Sequence, residues 1–132
     1  MDGVQRRLYA KAWRQLSNTI VNINLIIGDP VPNQIAHSAV INSDVVLGDN
    51  VTIMENAIVR SNTNVGDRCI IGPHCVIGEY QSGFYNDSDT YRNPPTEIGP
   101  GSIIRSHSVI YSGTILGKEF HSGHHVVVRE NT

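Results

Sequence analysis

The sequence predicts an all-β protein: a single-stranded parallel β-helix of hexapeptide repeats, preceded by a short N-terminal α-helix. Three observations predict it. An aliphatic residue recurs every six positions at Ile35, Ile41, Leu47, Ile53, Val59, Val65, Ile71 and Ile77. The series resumes at Ile98, Ile104, Ile110 and Leu116, slips once at Ser122 and returns at Val128. The fifth letter of each phrase is small or thin, from Ala39, Val45, Val51, Ala57 and Thr63 to Cys69, Cys75, Ser102, Ser108 and Thr114, with Phe120 the bulky exception. Glycine favours the second letter, and Gly48 to Gly66 and Gly99 to Gly117 are each eighteen residues apart.

The period follows from strand geometry. Letters five and one lie two apart, so on a short strand both side chains point to the same side, into a core. Letters three and four turn a corner, where Asp49-Asn50, Asp67-Arg68, Pro73-His74 and Pro100-Gly101 supply turn-forming residues. Three corners close a triangular coil of eighteen residues. Successive coils stack at the usual strand spacing of about 4.8 Å.

Ahead of the repeats, Val4, Leu8, Ala12, Leu16 and Ile20 fall at four-residue steps, which predicts a helix over residues 3–17. Arg6, Arg7, Lys11 and Arg14 take its other side, as on a cap or an oligomer contact. Leu25 to Asp29 reads as a first irregular strand, and Pro30, Pro32 and Asn33 bend into the coils. The domain reading is therefore residues 1–34 as helix and lead-in strand, and residues 35–132 as the β-helix.

Composition narrows the function. Formal charge is −2, so nothing marks a nucleic-acid surface. The apolar run Ile20 to Ile27 is broken by Asn22 and Asn24 and is too short to span a bilayer. No secretory signal pattern opens the chain, and Cys69 and Cys75 read as two buried thiols rather than a disulfide. The expected setting is cytoplasmic, without membrane or nucleic-acid partners.

Rotating the strands through faces a, b and c from Ile35 makes the outward residues legible. Face b presents Val40, Ile58, Val76, Val109 and Val127 outward, an apolar column that predicts a buried contact; the N-terminal helix could cover only part of it, which favours a contact between subunits. Face a has Gln34, Thr52, Ile70, Ile103 and His121 there, and face c has Val46, Asn64, Glu97 and Ile115. Ile98 follows Ile77 by twenty-one positions where the pattern needs six, so fifteen extra residues form a loop at about 79–95, in the corner from b to c. Its Tyr80, Phe84, Tyr85 and Tyr91 suggest a packed loop covering a substrate. At the other edge of face b, the corner from a to b, the fourth letter reads Ser38, Asn56, His74, His107 and His125, with His124 and His121 beside the last rung. Imidazole suits a general base near neutral pH, and it also suits zinc.

The stretch IGPGSIIRSHSVIYSGTILGKEFHSGHHVVVREN, Ile98 to Asn131, resembles the hexapeptide-repeat acyltransferases, above all the sugar-nucleotide N-acetyltransferases. The resemblance covers roughly residues 27–132. It implies a left-handed coil, a homotrimer with active sites between subunits, acetyl-CoA or another acyl-CoA as co-substrate, and a histidine base. Ser122-Gly123-His124 matches the family's serine- or threonine-glycine-histidine, so the base is carried onto His124, with His125 as its rival. Tyr80, Tyr85, Tyr91 and His107 are the substrate-binding candidates, and Gly123 and Arg129 the CoA-binding ones. The resemblance implies no metal. Relatives continue for several more coils, so a shortened member is expected. Two other functions stay open: a non-catalytic trimeric module, and a zinc hydrolyase of the carbonic anhydrase type. The zinc type expects a further histidine where Val128, Arg129 and Glu130 stand.

Overall fold

The computed structural model describes residues 31–132. The helix expected over 3–17 and the strand expected at Leu25 to Asp29 lie outside the described residues. The first coil is β1 (Gln34–Ile35), β2 (Val40–Ile41) and β3 (Val46–Leu47), and the second is β4 (Thr52–Ile53), β5 (Ile58–Val59) and β6 (Thr63–Val65). The third has β7 (Ile70–Ile71) and β8 (Val76–Glu79), then a five-residue helix α1 (Ser82–Asn86) in the loop, then β9 (Thr96–Ile98). β10 (Ile103–Ile104), β11 (Val109–Tyr111) and β12 (Ile115–Leu116) make the fourth, and β13 (Val127–Val128) follows.

Every pairing among them is parallel, and the strands form three sheets ordered β1-β4-β7-β10, β13-β11-β8-β5-β2 and β12-β9-β6-β3. These are faces a, b and c of a left-handed β-helix. His121 continues face a as an isolated parallel bridge to Ile103. There the slipped opener Ser122 is buried at 8% exposure, and its hydroxyl oxygen accepts from the Arg105 N–H at 3.0 Å.

The core is the one the period requires. Ile53, Ile71 and Ile104 stack on face a, Val59, Ile77 and Ile110 on face b, and Val65, Ile98 and Leu116 on face c, all buried. The fifth letters Val51, Ala57, Thr63, Cys69, Cys75, Ser102, Ser108 and Thr114 have no exposure at all. Their small size fits the crowded corner of the prism. The two cysteines are free thiols, as expected. Cys69 Sγ donates to the Gly99 carbonyl at 3.1 Å, and Cys75 Sγ to that of Arg105 at 3.0 Å. Burial pushes both thiols above their ordinary pKa.

Most of the corners share one backbone solution. The fourth letter adopts a positive φ at Asn50, Asn56, Asn62, Arg68, His74, His107, Glu119, His125 and Asn131, between 56° and 65°. Asparagine and histidine are among the non-glycine residues best suited to this left-handed region. The fourth-letter N–H then donates to a third-letter carbonyl one coil earlier, as His107 does to Pro73 and His125 to Ser106, both at 3.0 Å. Glycine at the second letter answers a close approach of coils: a Cβ on Gly66 would lie 2.6 Å from the Pro100 nitrogen.

The loop leaves and rejoins the coils in phase. Ile77 pairs with Ile110, and Ile98 with Val65, as they would around an ordinary corner. The exit is marked by Gly78 at φ 78° and by a register shift that pairs Tyr111 with Glu79.

Candidate functional site at the corner between faces a and b

The strands of face a end, and those of face b begin, at a corner whose third and fourth letters stack from coil to coil. His74, His107 and His125 occupy the fourth letter, and their shared backbone conformation aligns the rings. His74 and His107 stack with centroids 4.8 Å apart and planes 18° from parallel, and His107 and His125 likewise at 4.8 Å and 25°. The His107 pKa is lowered, first by loss of solvent around the ring and then by the neighbouring His125, His74 and His124.

His124 behaves differently although it adjoins His125. It is a third letter, so it stacks on the third letter above it: its Nδ1 lies 2.8 Å from Ser106 Oγ. That bond fixes the ring and leaves Nε2 as the nitrogen available to a substrate. The corner thus aims its two imidazoles apart, His125 into the ladder and His124 onto face a.

There His124 borders an open groove of about 330 Å³, walled by Met54, Ile70, Pro73, Ile103, Arg105 and Ser106 among others. The groove exists because the second letters along this edge are Met54, Gly72, Arg105 and Gly123. Gly72 leaves a gap between the long side chains of Met54 and Arg105. A Cβ there would press the Ile104 carbonyl oxygen and the Ser106 nitrogen, each at 2.9 Å.

The tyrosines expected to bind substrate lie at the opposite edge of face b. Tyr80 stacks on Phe84 at 4.0 Å, with Tyr91 edge-on to both at 5.9 and 5.8 Å. The Arg60 guanidinium sits 4.2 Å above the Tyr80 ring. The Tyr91 hydroxyl accepts from the Gln81 N–H at 3.0 Å and donates to Asn93 Oδ1 at 2.6 Å. Asn93 Nδ2 donates to the carbonyls of Ser61 and Gly78 at 3.1 and 2.9 Å. Tyr80 and Tyr91 therefore hold the loop on the coils, while Tyr85 on α1 is 72% exposed.

Arg129 also lies beyond this edge, after β13. It makes a two-pronged ion pair with Glu130 at 2.9 and 2.8 Å and covers Tyr111 at 4.6 Å. The pair raises the Arg129 pKa and lowers that of Glu130. Gly123 is exposed beside His124, and its carbonyl accepts from the hydroxyls of Ser122 and Ser108 at 2.9 and 3.2 Å. Within one protomer, then, His107, Gly123, His124 and His125 come together, and the tyrosines and Arg129 do not join them. Among the described residues, no three His, Cys, Asp or Glu side chains are placed to hold one metal ion.

Residues 44–79 match the family described as bacterial transferase hexapeptide (six repeats). Residues 44–79 therefore carry the hexapeptide repeat. No curated protein matches the chain. Among the described residues no helix is long and apolar enough to cross a membrane.

Sequence reasoning passed over Ser106 and the groove residues. Ser106 precedes His124 by eighteen residues, one coil, and that spacing between third letters is the signal that finds it. Ile70 and Ile103 were legible as outward residues, but the gap at Gly72 needs the stacked coils to be seen.

Proposed function

We propose that the chain is an acyltransferase, moving an acyl group from CoA to an amino or hydroxyl group of a small acceptor such as a sugar nucleotide. One observation carries the reading: His124, its Nδ1 held by Ser106, stands at the mouth of an apolar groove on the same β-helix whose residues 44–79 match the bacterial transferase hexapeptide family. The acceptor nitrogen or oxygen attacks the thioester carbonyl, a C–N or C–O bond forms, and the C–S bond breaks. His124 Nε2 takes the proton the acceptor loses and returns it to the departing CoA sulfur. Ser106 keeps the ring in place through both transfers.

The active unit is a homotrimer packed through Val40, Ile58, Val76, Val109 and Val127. Their pairing in register along one sheet supports this, with Val40 54% and Val127 59% exposed in the single chain. Packing there brings one protomer's histidine edge towards its neighbour's loop edge, where the exposed Tyr85 meets the acceptor and Arg129 the phosphates of CoA. The two free thiols fit a reducing, cytoplasmic setting.

The test is release of free CoA from acyl-CoA donors across a panel of amino sugars and small amines. Acceptor-dependent release supports the reading. No release with any pair leaves a non-catalytic trimeric module as the better description.

A further inference from the structure

We propose that the groove beside His124 takes the hydrocarbon chain of an acyl donor longer than acetyl. The proposal rests on the acyltransferase reading above and names its donor. The outward column of face a is polar at both ends and apolar between, running Gln34, Thr52, Ile70, Ile103 and His121. Ile70 is 38% exposed, with Ile103 beside it in the column on one side and Thr52 on the other. Met54 and Pro73 extend the same apolar wall. The polar lining of the groove, His124, Arg105 and Ser106, gathers at one end.

This asymmetry matches a thioester with a tail. The carbonyl and the attacking group need the imidazole, and the tail needs only apolar wall. A sugar lying along the groove would meet no polar side chain among the lining residues past Ser106, and desolvating its hydroxyls there would cost free energy. From His124 to Met54 is three coil steps, about 14 Å at the usual strand spacing. An extended chain advances at most about 1.5 Å per carbon, so the groove has room for several methylenes beyond acetyl. Gly72 lines that path together with Met54 and Arg105.

The reaction is unchanged by chain length: the same C–S bond breaks, and the proton passes through His124. The experiment compares acetyl-, butyryl-, hexanoyl- and octanoyl-CoA with one working acceptor, using the full chain. We expect kcat/KM to rise about fourfold per buried methylene over the first part of the series. Ile70→Thr, which copies Thr52 of the same column, should lower the octanoyl-to-acetyl ratio by roughly an order of magnitude. Calorimetric titration with octanoyl-CoA and with CoA alone gives the answer without turnover, and octanoyl-CoA should bind at least tenfold tighter. Equal kcat/KM along the series, or equal binding of the two ligands, overturns the proposal while leaving the acyltransferase reading intact. No binding of either ligand overturns both.

Discussion

Asn93→Ala tests whether the inserted loop is part of the folded unit. The Asn93 side chain makes three hydrogen bonds that alanine cannot: it accepts from the Tyr91 hydroxyl at 2.6 Å and donates to the Ser61 and Gly78 carbonyls at 3.1 and 2.9 Å. Each is worth about 1 kcal/mol net, and the half-buried site limits how well water replaces them. The expected loss is about 2–4 kcal/mol. Tyr91→Phe removes the bond to Asn93 and the one accepted from Gln81, and should cost about 1–2 kcal/mol. Because the two variants share one bond, the double variant should cost less than their sum, by about 1 kcal/mol. Denaturant unfolding followed by circular dichroism measures all three. A loss below about 0.5 kcal/mol for Asn93→Ala would refute the argument and show the loop to be dispensable to the fold.

Three further outcomes follow from the ladder, the outer face and the core. In the unfolded chain His107 takes its proton near pH 6.5, while in the stacked ladder its pKa is lowered, so the unfolded state binds more protons. Stability should therefore fall as pH drops below about 6.5; His107→Asn, suited to the same backbone conformation, should reduce that slope in thermal melts from pH 7.5 to 5.5, and an unchanged slope would contradict the ladder as its source. Val76→Asp, at the centre of the face b column, should leave the coils folded but lower the mass by light scattering from trimer to monomer; a monomer before mutation would remove the assembly. Cys69 and Cys75, buried and raised in pKa, should stay silent to a thiol reagent until denaturant unfolds the coils, and fast labelling in buffer would show the core to be open.

The coils were legible because their information is periodic. Each opener and each fifth letter repeats one packing decision, so Ile71 and Cys69 could be placed in the core from spacing alone. The insertion interrupts that period, and its order comes from single contacts such as Asn93 to Gly78, which no pattern announces. The short helix α1 was missed for the same reason: Phe84, stacked on Tyr80, packs the segment, and no side chain caps its start. At the histidine corner the residue types were legible, but their division of labour was not. Whether His124 or His125 meets a substrate depends on which letter stacks on what. Ser106 under His124 and His107 under His125 are visible only when coils eighteen residues apart are laid together. Arg129 shows the limit from the other side, since its pairing with Glu130 and Tyr111 ties it to the far edge of face b.

The central claim, that His124 rather than the ladder does the chemistry, is met most directly by comparing His124→Ala with His125→Ala in a CoA-release assay on the best acceptor. The account predicts a fall of about 10²–10⁴ in kcat for His124→Ala, with fold and oligomer unchanged, because a general base is lost. His125→Ala should lose far less, since its ring is committed to stacking on His107. Equal losses, or the larger loss in His125→Ala, would contradict the claim.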